Sequence, residues 1–280
     1  MVWKASLQLH YKNTGSAERP RSGLDFLHEG PLRVLQSLYP EGERICHNVL
    51  IHPPSGIVSG DLLDIAAQLD PGTHAVITTP GATRFYKSSG DSGTQQVQVH
   101  LAEGARLEWL PLETIAYNGC NAVNRAVFRL ASNAEMIGWD ITAFGLPHAH
   151  APFDHGVFQQ HIEIPGSWLE RARIDASDTH LLNSPLGMAG MRCMGTLFFA
   201  SGSTIARERR ETLLDAVRTA LGQSVLMSTS GATAPNPRMI CVRTLSHLVE
   251  PTLNTLRACW SALRRAGWAL ESNPPRIWSM

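Results

Sequence analysis

The stretch Asp70–Leu110, DPGTHAVITTPGATRFYKSSGDSGTQQVQVHLAEGARLEWL, decides the fold class. DPG and AEG each put a glycine at a turn, and each turn feeds a short run, THAVITT or ARLEWL, with the composition and spacing of a strand. QQVQVHL is a third strand between them. Further out, PEGERI at Gly42, SNAEMIGW at Asn133 and IPGSWLE at Gly166 repeat the signal, at intervals of 30, 32, 29 and 33 residues. A near-constant period of that length is what stacked supersecondary units produce, each unable to cover its own apolar face. Hairpins in any all-β protein also come at semi-regular spacing, so the period leaves two readings open. Both predict a mainly β protein built on a large, stacked, β-helix-like sheet scaffold, to which VWKASLQLHY and DLLDIAAQL add further strands.

Past residue 200 the period changes. STIARERRETLLDAVRTALG places Leu213, Leu214, Val217, Ala220 and Leu221 on one helical face, with Thr204 as the expected cap and Gly222 as the stop. A second helix is expected from Pro251 to Ala266, with Leu253, Leu256, Trp260 and Leu263 inward and Gly267 ending it. The expectation is therefore two α-helices in the C-terminal third, within a single domain over residues 1–280. Pro274 and Pro275 favour an extended tail whose Trp278 either packs back on the fold or docks into a partner.

Composition narrows the function. Net charge is zero, with 24 basic and 24 acidic side chains, so nothing draws the chain to nucleic acid or to an anionic membrane. The five cysteines are odd in number, widely spaced and without a CxxC pair, which argues for reduced thiols in a cytosolic protein. No signal-peptide pattern precedes Trp3 and no apolar run approaches the roughly 20 residues of a membrane span. A soluble, cytoplasmic protein is expected.

Three sets of residues suit chemistry. His52 and Asp61 flank a Pro/Gly-rich loop with Ser55 and Ser59 between them, the residue types of a hydrolase, but neither serine sits in a GxSxG elbow. There is no GxxxxGKS/T loop and no GxGxxG after a strand, which excludes the common nucleotide sites. LPHAHAPFDHG puts His148, His150, Asp154 and His155 within eight residues, and an HxH pair on a strand turns both rings to one face, where they suit a divalent ion. His52, Asp61 and this cluster together make a metal-dependent hydrolase the rival reading. The third set is carboxylates in apolar settings: Asp61, Glu108, Glu113, Asp140 and Glu170. Such a group is paired, hydrogen-bonded or wet, because an unpaired buried charge is costly. Alternation offers the plainer account of Glu108 and Glu113, which would face solvent. Asp61 and Asp140 are expected to line a polar passage that attracts a hydrated cation through weak, multiple contacts.

HNVLIHPPSGIVSGD (residues 47–61) and TTPGATRFYKS (78–88), continued by LEWLPLETI, GWDIT, SPLGMAG and the C-terminal PPRIW, resemble the urease accessory protein UreD family, also called UreH, and the likeness runs from Gly30 to Trp278. The resemblance implies a mostly β, helix-like stack of sheets with a pair of helices. It also implies a urease-maturation factor and no enzyme: a scaffold that binds the urease apoprotein and the accessory proteins UreF and UreG and helps deliver nickel. No tightly bound cofactor is implied, only transient nickel. Carried over by motif, Asp61, Thr83, Arg84, Asp140 and Glu170 lie near an internal nickel route; from their own spacing, and not from the resemblance, His148 and His150 are candidate transient nickel contacts. His52, Pro53, Pro54, Gly56, Gly60, Gly81, Thr83 and Arg84 form the structural loop, where the prolines fix φ and the glycines are expected at conformations a Cβ penalises. The chain departs from the usual HPPGGIVGGD at Ser55 and Ser59, which would be strained if φ is positive there, and it ends in Met280 where PRIW-x-Thr is usual. Trp3, Leu38, Tyr39 and Trp278 are candidate partner contacts.

Overall fold

A computed structural model describes residues 3–16, 18–54 and 56–279. One seven-stranded sheet holds, in spatial order, β14 (Trp168–Asp175), β13 (Gly156–Ile164), β11 (Cys120–Leu130), β8 (Gly93–Leu101), β5 (Leu62–Leu69), β1 (Lys4–Asn13) and β2 (Ser22–Glu29). A ten-stranded sheet holds β16 (Ser230–Asn236), β17 (Met239–Ser246), β15 (Cys193–Ser201), β12 (Glu135–Phe144), β9 (Arg106–Leu110), β6 (His74–Thr78), β4 (Ile45–Ile51) and β3 (Arg33–Val34). Beside β12 it also carries β10 (Thr114–Ala116), which pairs with β7 (Thr83–Phe85).

The recurring turns build this stack. Gly42, Gly72, Gly104 and Gly166 have φ between 67° and 91°, and Asn133 has φ 59°. That left-handed conformation is free for glycine and tolerated by asparagine. The first four turns drop the chain into β4, β6, β9 and β12, adjacent and parallel, with Ile45, His74, Arg106 and Glu135 in one cross-strand row. Their counterparts β5, β8, β11 and β13 stack in parallel on the other sheet. The repeat reading holds for four turns and fails at the fifth: Gly166 closes an antiparallel hairpin, so β14 returns beside β13.

Apolar side chains in the inward phase of both sheets, such as Leu7, Ile65 and Val99 against Cys46, Leu107 and Met136, form the core between them. The opposite face of the ten-stranded sheet is also buried. Two helices, α2 (Arg207–Gly222) and α3 (Val249–Trp268), lay Leu213, Val217, Leu256, Trp260 and Leu263 on Val76, Ile137 and Trp139. Each such side chain contributes about 1.5–3 kcal/mol when fully buried. Both expected helices are present, with different ends: α2 starts three residues after Thr204 and has no side-chain cap, and α3 runs through Gly267 to stop at the left-handed Ala269. Gly267 remains helical because its missing side chain admits Leu213 and Phe199. A short helix, α1 (Thr179–Asn183), was not foreseen; Asp178 caps it. Among the described residues no helix is long and apolar enough to cross a membrane.

The tail packs back. Trp278 lies against Trp139 and Trp260, and its indole donates to Thr78 Oγ1 at 2.8 Å. Trp3 and Leu38 remain exposed, while Tyr39 is half-buried and donates to Ser22 O.

Between α3 and the sheet lies a buried charge cluster that corrects the expectation for Glu108. Glu108 is 0% exposed: Oε1 meets His74 Nε2 at 2.8 Å, and Oε2 accepts from Trp260 Nε1 at 2.6 Å. Arg264, also 0% exposed, donates to Glu41 Oε2 at 2.6 Å and lies 3.5 Å from Glu108 Oε2. His47 completes the cluster at 2.8 Å from Glu41 Oε1. Although burial raises the Glu41 pKa, hydrogen bonds from His47 and Arg264 outweigh it and hold the carboxyl below its ordinary range. Strand alternation places Glu108 opposite the inter-sheet core as expected, but that second face meets α3 and not water.

Candidate functional site

Asp61 anchors the loop that joins β4 to β5. Its Oδ1 accepts the N–H of Trp3 and its Oδ2 that of Val58, each at 3.0 Å, while its own N–H closes the turn on Val58 O. Gly60 within that turn has φ 77°. Both carboxylate oxygens are therefore spent on the backbone, which makes Asp61 a clasp between the first strand and the loop. Asp61→Ala strands two N–H groups and is expected to cost about 2 kcal/mol, read as a lower denaturation midpoint. Gly56 is required for space, since a Cβ there would come within 2.0 Å of the Tyr86 ring. Gly81 has neither a positive φ nor a close neighbour, so the expected penalty does not exist there. Ser59 is not left-handed either and carries no strain; its Oγ accepts the N–H of Ser89 at 2.6 Å. Ser55 and Met280 lie outside the described residues.

The motif residues surround a cavity of about 180 Å³, lined by His52, Thr79, Gly81, Thr83, Arg84 and Gln95 among others. Pro53 and Pro54 form the exposed turn beside it. Burial lowers the His52 pKa against the upward pull of Asp61. A hydrogen bond with Tyr86 raises that of Arg84.

From Gln95 a line of polar side chains runs into the sandwich. Gln95 Nε2 donates to Asn124 Oδ1 at 3.3 Å, and Asn124 Nδ2 crosses between the sheets to Asp140 Oδ2 at 3.2 Å. Asp140 Oδ1 accepts from Gln160 Nε2 and Thr142 Oγ1, both at 2.9 Å. Gln95, Asn124 and Gln160 are register partners on β8, β11 and β13, a ladder of three amides. Facing it, Asp140, Thr196 and Arg243 form a row across β12, β15 and β17. Glu170, on β14, accepts from Thr196 Oγ1 at 3.4 Å and meets Arg243 Nη2 at 2.6 Å.

The electrostatics are those of a costly interior. Burial raises the Asp140 pKa, and hydrogen bonds from Thr142, Gln160 and Asn124 only partly offset it. Burial likewise raises Glu170, opposed by Arg243 and assisted by the Asp140 charge. One buried oxygen in this line, Gln160 Oε1, has no hydrogen-bond donor, whereas Glu170 Oε2 is held by the Arg243 guanidinium at 2.6 Å. Native interiors leave few such atoms.

Sequence reasoning found Asp140 and Glu170 but missed Gln95, Asn124, Gln160, Thr196 and Arg243. A signal was there: Asn124 stands in the phase of Cys120, Ala122 and Phe128, and Gln160 in that of Phe158 and Ile162, all buried. An amide in the apolar phase of a strand is a buried polar group.

The histidine segment is a loop and not the strand on which an HxH pair would turn both rings to one face. Pro147–Ala149 is a single 3-10 turn and His150, exposed, has φ 52°. Proline 147 and proline 152 interrupt any ladder there. His155 and Asp154 use their N–H groups to bind Asn118 Oδ1, and the side chain of His148 lies outside the description. Among the described residues no three His, Cys, Asp or Glu side chains are grouped to hold a metal, so the hydrolase reading has no assembled site.

Stacked sheets with polar groups turned inward and satisfied largely by one another define a β scaffold built around a buried polar line. The family model described as UreD urease accessory protein matches residues 4–279. Proteins named urease accessory protein UreD from Paracidovorax citrulli and Polaromonas naphthalenivorans are each 54% identical over 280 residues, 100% of both chains. The one from Leptothrix cholodnii is 50% identical over 278 residues, 99% of both. This chain belongs to the UreD urease accessory protein family, and its role is in urease maturation.

Proposed function

We propose that this chain is a cytoplasmic scaffold, acting as one domain over residues 1–280, that binds the urease apoprotein with the accessory proteins UreF and UreG and passes nickel toward the urease active site. The cargo travels along Gln95, Asn124, Asp140, Gln160 and Glu170. The supporting observation is the pair of interior carboxylates, Asp140 and Glu170, set on one line of buried polar side chains, with pKa values raised by burial and with Gln160 Oε1 lacking a donor. A folded interior keeps such groups at a cost, and a divalent cation relieves it. Oxygen ligands strung along a line, and not converged on one point, suit an ion that must also leave. His150, on an exposed turn, and His148 serve as auxiliary contacts for the ion, and Asp61, Gly56 and Gly60 hold the cavity at the head of the line in shape. Nickel is cargo throughout and no resident cofactor is needed.

The test uses cells expressing the urease subunits and the other accessory proteins. Urease nickel content and activity are measured with this chain present, absent, or carrying Asp140→Asn with Glu170→Gln. Omission should abolish loading, and the double variant should still co-purify with its partners while loading little nickel. Unchanged loading on omission overturns the maturation reading. Normal loading by the double variant overturns the route.

A further inference from the structure

Arg243 ends the interior line on the outer strands. Its side chain is 56% exposed, whereas that of Glu170, 2.6 Å away, is 7% exposed. The contact is a short ion pair between an exposed guanidinium and a buried carboxylate. Opposite Arg243 on β16 stands Gly231, where even a Cβ would have no neighbour within 4 Å, leaving the guanidinium room to swing away. Glu170 has no such freedom, with Thr196 on Oε1 and burial around it.

We propose that Arg243 is a removable cationic gate on Glu170, closing the outer end of the route to divalent cations until an acidic side chain of a docked protein draws the guanidinium off. This rests on the reading of the line as a nickel route. A guanidinium on the last carboxylate repels an arriving dication and occupies the oxygen it would use. Arginine does not deprotonate, so the gate opens by displacement and not by titration. The guanidinium is the exposed partner, so a competing carboxylate outside the fold can reach it and draw it off, which a fully buried arginine would not allow.

The test is calorimetric titration of nickel chloride into the purified full-length chain at mildly alkaline pH. Arg243→Gln and Arg243→Ala should each bind nickel on the order of tenfold more tightly than the natural chain at one added site. Arg243→Lys, which keeps the charge, should match the natural chain. Adding Glu170→Gln to Arg243→Gln should abolish the gain. The gate is overturned if both charge-removing variants, folded by circular dichroism, bind nickel no better than the natural chain, or if the gain survives Glu170→Gln. The route itself fails separately, through normal urease loading by the Asp140→Asn, Glu170→Gln chain in cells.

Discussion

Glu108→Ala should lower the folding free energy by about 3–5 kcal/mol, the range for removing one partner of a buried charge pair. The loss has three parts. Trp260 Nε1 and His74 Nε2 lose their acceptor, and Arg264 keeps only Glu41 as a counter-charge in a site where it is 0% exposed. A cavity also opens beneath α3. At roughly 2–4 °C per kcal/mol for a chain of this size, the melting temperature should fall by about 6–20 °C. Glu108→Gln should cost less, because an amide oxygen still accepts from Trp260. Breaking such a cluster is expensive even though forming it adds little net stability, since the cost lies in the charge left behind. A fall of less than about 2 °C for Glu108→Ala would show that the cluster does not fasten α3 to the sheet.

Glu108 also shows where the sequence stops being readable. The turns at Gly42, Gly72, Gly104 and Asn133 were legible because a left-handed φ restricts residue choice, and their period followed from the stack. Gly166 carries the same local signal yet closes a hairpin, since a turn states that the chain reverses and not which sheet receives it. The face of β9 that bears Glu108 looks like an ordinary alternating strand. What covers it is Trp260, 152 residues later, and no local pattern encodes that contact. Arg243 was hidden for a similar reason: in MICVRTL it is the expected outward cation, and only β14 folding back puts Glu170 beneath it. The amide ladder was different, because Gln95, Asn124 and Gln160 break the apolar phase of their own strands. That break identifies a buried polar row but not its purpose, which depends on Asp140 facing it from the other sheet.

Replacing Asp140 and Glu170 by Asn and Gln should raise stability while removing nickel loading. Both carboxyls have pKa values above their ordinary range in the folded chain, chiefly from burial. The folded state then holds these protons more tightly than the unfolded state does. The stability they contribute is full below the unfolded-state values and is lost as pH rises through the raised folded values, so at neutral pH their ionisation works against the fold. Amides remove that opposition, with an expected gain of about 1 kcal/mol, or roughly 2–4 °C. The surroundings accept the change at Asp140, because the Asn124 and Gln95 amides can turn over and reverse the hydrogen bonds that now point toward it. The difference in melting temperature between the double variant and the natural chain should shrink as pH is lowered toward the ordinary carboxylate range. A variant that melts higher, still binds its partners and fails to load nickel locates the defect in the ligands of the route. If it melts lower as well as failing to load, misfolding accounts for the failure, and the two carboxylates are structural residues and not stations for the metal.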